Sequence, residues 1–174
     1  MAKKKKIQID LSVASIESAI RQLDGYKKEL LNKTDQLLYE LGKEGIKVID
    51  NSLTTVVGDS DPNHYAFAKV NAFGNHVILT LVVQGQDIAF LEFGAGIHYN
   101  GAVGQSPNPK GDKLGYTIGS YGLGQGANDS WVYYDEEQGR FRMSHGTKAS
   151  MPMYNAEVEI LAKLKSVAKR VFGG

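Results

Sequence analysis

The residues best suited to chemistry are four histidines and one glutamate in an apolar setting. In "QDIAFLEFGAGIHYN" (86–100), Glu92 sits inside the run Ile88, Ala89, Phe90, Leu91, Phe93. Gly94 and Gly96 follow it, and His98 lies six residues beyond. Joined by His145, Glu92 and His98 could hold a metal that activates water, the arrangement of a small metal-dependent hydrolase. The spacing does not single out that site: His64, His76, His98 and His145 form no i,i+4 pair and no His-Glu-x-x-His. The chain has no cysteine and no Gly-x-Ser-x-Gly, which excludes thiolate chemistry and a nucleophile elbow. Glu136 and Glu137 are adjacent carboxylates in a turn, whereas acid–base work needs carboxyls that converge across a cleft. No cofactor is expected.

Net charge is +1, with four positives in Lys3, Lys4, Lys5 and Lys6, so the rest of the chain is near −3. Such a body attracts nucleic acid poorly. The lysines could serve as a short basic arm for a nucleic-acid accessory role, and Trp131, Tyr133, Arg140 and Phe141 could stack bases. The simpler readings are a solvated terminus and a hairpin whose alternate residues pack inward. No apolar run approaches the ~20 residues of a membrane span, and the tetralysine leads into Ile7-Gln8-Ile9-Asp10 rather than an apolar signal core. The absence of cysteine fits assembly in a reducing cytoplasm.

The elements that must carry these residues follow from periodicity. With 174 residues and 42% hydrophobic content, one domain spanning 1–174 is expected. Residues 7–11 suit a short strand after the basic arm. Ser12 or Ser15 can cap a first helix, Gly25 can break or bend it, and 26–52 reads as a long helix with apolar residues at 3–4 spacing. Gly42 and Gly45 weaken that helix and would be useful where another element comes close. Residues 65–73, 77–83 and 88–93 read as three strands of an antiparallel meander. Residues 94–126 then hold ten of the 20 glycines, and an excursion over 94–128 with low local stability is expected. Residues 131–134 and 140–143 form a hairpin around Glu136-Glu137-Gln138-Gly139. Ser150 and Pro152 announce a last helix. The fold class is α+β: a long N-terminal helix, an antiparallel meander plus hairpin, and a C-terminal helix packed on the sheet.

In order along the chain, "FLEFGAGIHYN", "GYTIGSYG" and "WVYYDEEQGRFRMSHGTKASMPMYNA" before a final helix resemble the head–tail connector family of long-tailed bacteriophages. These are neck proteins also described as tail-completion or minor capsid proteins. The most telling pieces are Glu92-Phe93-Gly94-Ala95-Gly96 and the run from Gly146 through Pro152 to Ala156. The resemblance covers about 16–172. Many members carry Pro-x-x-Thr-Gly after the long helix, where this chain reads "VVGDSDPNHYAFAKV". The resemblance implies a structural virion protein and not an enzyme: a homo-oligomeric ring at the neck, joining the portal side of the head to the tail. Its partners would be itself, portal-side or head-completion proteins and proximal tail proteins, with no small-molecule substrate and no membrane. DNA would be passing cargo only. It would be assembled in the host cytoplasm and reside in the virion neck. It also implies that Glu92, Phe93, Gly94, Gly96, His98, Trp131 and Pro152 serve as structural hinge or assembly residues. Glu92 would then accept backbone N–H bonds from a glycine turn, or pair with a basic residue, at the base of the excursion.

Overall fold

In a computed structural model of the chain, residues 6–57, 64–74, 76–85, 87–94, 106–114, 131–136, 138–144 and 146–173 are described. Helix α1 spans Val13–Val57, strands β1 and β2 span Tyr65–Phe73 and His76–Gln84, and a short helix α2 spans Ile88–Phe93. A 3₁₀ turn at Asp112–Leu114 precedes strands β3 (Trp131–Asp135) and β4 (Arg140–Ser144), and helix α3 spans Pro152–Phe172. The class is α+β. The strands form two separate two-stranded sheets, β1–β2 and β3–β4, each a hairpin. Backbone contacts sort the chain into two compact units. One is Met1–Ile46, Phe67–Val82 and Val158–Gly174, and the other is Lys47–Ala66 and Val83–Glu157.

In the first unit, α1 begins where Ser12 accepts the Ser15 amide on its hydroxyl (3.3 Å). Asp10 in turn accepts the Ser12 amide and hydroxyl at 2.8 and 2.5 Å. These bonds wind residues 10–15 into a cap, so the strand expected over 7–11 is absent. α1 then runs 45 residues without a break, roughly 68 Å. Gly25 does not interrupt it, because one glycine costs about 1 kcal/mol and the turns on either side hold.

Leu41, Val167 and Val171 form the buried core where α3 lies on α1, with Leu37, Leu38, Leu79, Ile160 and Phe172 packed around them. Gly42 and Gly45 are the places of closest approach. A Cβ on Gly45 would stand 2.8 Å from both Ile160 Cδ1 and Leu81 Cδ1, and one on Gly42 would stand 3.1 Å from Leu79 Cδ1. Gly45→Val should therefore cost about 2 kcal/mol by overpacking, lowering the melting temperature by roughly 4–8 °C. Gly25 has nothing within 4 Å. There Gly25→Ala should stabilise the helix by about 1 kcal/mol, slowing amide exchange over 20–30 about fivefold.

Two ion pairs join α1 to α3 in the same unit. Lys163 Nζ meets Glu44 Oε2 at 2.5 Å, and Arg170 meets Glu40. The Arg170 hydrogen bond holds the Glu40 carboxyl below its ordinary value, against a smaller desolvation effect. The Glu44 and Glu159 carboxylates hold Lys163 above the ordinary lysine value. The Glu40 contribution is present above the unfolded carboxyl value and lost as pH falls through the lower folded one. The Lys163 contribution is present below the unfolded lysine value and lost as pH rises through the higher folded one. Melting temperature should thus be flat between about pH 5 and 10 and fall at both ends, with Arg170→Gln reducing the acid-side drop.

The second unit buries Ile49, Leu53, Leu91, Ala149, Pro152 and Ala156. Its hairpin pairs Val132 with Met143 and Tyr134 with Phe141, in register about a turn in which Gly139 takes φ +61. No helix among the described residues is long and apolar enough to cross a membrane.

Candidate functional site

Residues 88–93 form a helix, not the third strand of a meander. Asp87 takes a left-handed turn (φ 60), and its carbonyl then accepts the amides of Phe90 (2.8 Å) and Leu91 (3.2 Å). A six-residue segment of five apolar residues and one glutamate carries no decisive period of its own, so the turn that starts it and the partners that receive it decide its form.

A helix end leaves its last carbonyls without partners, and at α2 all four are met. The Phe90 carbonyl accepts the Gly94 amide (2.8 Å), and Leu91 accepts the amides of Ser150 (2.8 Å) and Met151 (3.1 Å). The Ser106 hydroxyl donates to the Phe93 carbonyl at 2.7 Å, and the Asn108 side-chain amide reaches the Glu92 carbonyl at 3.4 Å. Gly94 ends the helix at φ 80, with Ala149 Cβ 3.4 Å from where its own Cβ would lie. A side chain there would be strained and tight, which explains the glycine.

The opening amides of α3 have the reciprocal need. Pro152, fully buried at the first helical position, has no amide to satisfy. The next two donate to one side chain: Met153 N–H to Glu92 Oε2 (2.8 Å) and Tyr154 N–H to Glu92 Oε1 (3.0 Å). Asn108 Nδ2 donates to the same Oε1 at 2.7 Å. Glu92 is 9% exposed and Asn108 2%. The carboxylate thus caps α3 from α2, its charge lying at the positive end of the helix dipole. Met151, just before Pro152, takes φ 53, a left-handed turn rare for a non-glycine residue, held by its two bonds to the Leu91 and Asn155 backbone.

Glu92 therefore accepts backbone N–H bonds, as the resemblance implies, but from a helix 61 residues further along rather than from a glycine turn. Phe93, Gly94 and Pro152 belong to the same joint. Trp131 opens β3, in register with Ser144. Gly96, His98 and His145 lie outside the described residues, and so does most of the glycine-rich excursion. Among the described residues no group of three His, Cys, Asp or Glu could hold a metal. With both oxygens taken by donors, the Glu92 side chain is built as an acceptor for the fold.

Asn108 is the residue that sequence reasoning missed. Its amide grips Glu92, its Oδ1 accepts the Lys110 amide (2.9 Å), and its carbonyl accepts the Gly111 amide (2.8 Å). Lys110 pairs in turn with Glu157 on α3. Residues 106–114 are thus tied to α2 and α3. "SPNPKG" carries a turn signal, since asparagine between prolines favours a side-chain-bonded turn. Its link to Glu92 is not written locally. Compared with protein-family models, curated proteins and solved structures, the chain matches none.

Proposed function

We propose that the chain is a structural protein of the bacteriophage neck, one copy of a ring that joins the portal side of the head to the tail. The observation that carries this reading is the joint at Glu92. It brings together the two stretches on which the family resemblance rests most: the Glu-Phe-Gly end of α2 and the small-residue, proline-containing entry to α3. A carboxylate committed to two backbone amides and an asparagine acts as a fastener at the point where the chain leaves α2. A further support is the amount of apolar side chain left at the surface, including Val132, Phe141 and Met143 on one face of the β3–β4 hairpin. Surfaces of that kind suit a protein completed by neighbours. In this reading its work is binding: to itself, to portal-side or head-completion proteins and to proximal tail proteins, with DNA as passing cargo.

The test is genetic. Removing the gene from a particle-producing genome should yield filled heads and free tails, rejoined when the chain is supplied in trans. Joined, infectious particles formed without it would overturn the reading.

A further inference from the structure

Asn108 has a chemistry that the joint does not use. It stands between Pro107 and Pro109, and Asn108–Pro109 is the one Asn–Pro bond in the chain. Proline has no amide hydrogen, so its nitrogen cannot attack the asparagine side chain, the ordinary route to deamidation. The opposite attack stays open. Asn108 Nδ2 can close on the carbonyl carbon of its own residue, forming a succinimide and releasing Pro109.

The groups that such an attack needs meet at this residue. Glu92 Oε1 accepts from Nδ2 at 2.7 Å, and the Glu92 carbonyl accepts more weakly from the same nitrogen at 3.4 Å. The Lys110 amide donates to Oδ1 at 2.9 Å, which favours the negative charge that the side-chain amide gains as it loses a proton. The Gly111 amide donates to the Asn108 carbonyl oxygen at 2.8 Å, the reach of an oxyanion donor. Glu92 and Asn108 are both buried, so these interactions are weakly screened. A nucleophile, a base and an oxyanion donor thus surround one peptide bond.

We propose that the chain cuts itself once, between Asn108 and Pro109, with Glu92 as the general base. Oε1 takes a proton from Nδ2 as Nδ2 attacks the Asn108 carbonyl carbon, and the Gly111 amide holds the negative charge that forms on oxygen. The tetrahedral centre then expels the Pro109 nitrogen, which takes the proton from Glu92. One C–N bond replaces another and the carboxylate is restored. One product ends in a succinimide at residue 108, and the other begins with the secondary amine of Pro109. Water later opens the imide, leaving one carboxylate and one carboxamide on residue 108. That carboxylate lies beside Glu92, and the repulsion of two like charges loosens the turn at Lys110 and Gly111. The reaction is a single event in each chain, with no separate substrate, and it does not depend on the neck reading.

The test follows the full chain at neutral pH over several weeks by intact-mass spectrometry. Two fragments should accumulate, one ending at residue 108 and one beginning at Pro109. Their summed mass should equal that of the intact chain while the imide lasts, and exceed it by one water afterwards. The folded chain should cut at least about tenfold faster than the same chain unfolded in urea. Asn108→Gln, which needs a larger ring, and Glu92→Gln, which keeps the shape without the base, should each slow the cut at least about tenfold. Gly45→Val, destabilised about as much as Glu92→Gln but away from the reacting atoms, should cut at the wild-type rate. A folded chain that stays intact, or cuts no faster than in urea, would overturn the proposal and leave Asn108 as a tether alone. Equal cutting by Glu92→Gln, or equal slowing by Gly45→Val, would overturn Glu92 as the base.

Discussion

Glu92→Ala is expected to lower the melting temperature by roughly 6–12 °C. The substitution strands the Met153 and Tyr154 amides and leaves the Asn108 side-chain amide only its longer bond to the residue 92 carbonyl. An unsatisfied buried donor costs about 1–3 kcal/mol, and water entering the vacated space recovers part of it. A net loss of about 3 kcal/mol corresponds to the stated shift for a chain of this size. Glu92→Gln should fall between. Its carbonyl can still serve Tyr154 and Asn108, while its NH₂ faces the Met153 amide and the charge at the start of α3 is gone, for a loss of about 1.5–2 kcal/mol. In particle assembly the alanine chain should leave heads and tails unjoined in proportion to its lost stability, and lower temperature should restore joining. An alanine chain that melts like wild type yet is inactive at every temperature would replace the fastener with a chemical role.

What could be read in advance divides along a physical line. The start of α3 was legible because Pro152 and the small polar residues before it act within one turn. The β3–β4 hairpin was legible because Gly139 marks its turn and its strands are adjacent in sequence. The close approach at Gly42 and Gly45 was legible too, since a helical glycine costs stability that only a near neighbour makes useful. The misreadings are of two kinds. Gly25 and residues 7–11 mislead when taken singly, because a long helix absorbs one glycine and an Asp10–Ser12 cap competes with extension. Residues 88–93 and Asn108 depend on partners far along the chain. Five apolar residues and one glutamate fit a strand or a helix equally, and what makes them a helix end here is the set of donors from Ser106, Asn108, Ser150 and Met151. A structural role for the carboxylate in that run is what the family resemblance implies, beside the metal site that its residue type also allows. The helix it caps was beyond reach, because nothing local to Glu92 points to residue 153.

Asn108 allows the joint to be tested from its other side. Asn108→Asp changes little in size but replaces a donor with an acceptor 2.7 Å from Glu92 Oε1. At neutral pH two carboxylates would face each other in a site where Asn108 is 2% exposed, and the cost should be about 3 kcal/mol or more. That corresponds to a melting temperature lower by roughly 6–12 °C. Asn108→Ala should cost less, about 1.5–2 kcal/mol, from the loss of the bond to Glu92 and of the acceptor for the Lys110 amide. The two variants should separate by pH. In the aspartate chain the folded pair binds a shared proton more tightly than the unfolded chain does, so the folded state takes up protons as pH falls. Its deficit relative to wild type must then shrink on acidification, and by more than that of the alanine chain, which gains no second carboxylate. In both variants the Lys110 and Gly111 amides should exchange faster, because Asn108 is, with Ser106, one of the side chains that tie this turn to α2. If the aspartate and alanine chains melt alike from pH 4 to pH 8, Asn108 does not hold Glu92 in solution, and the excursion is anchored by some other contact.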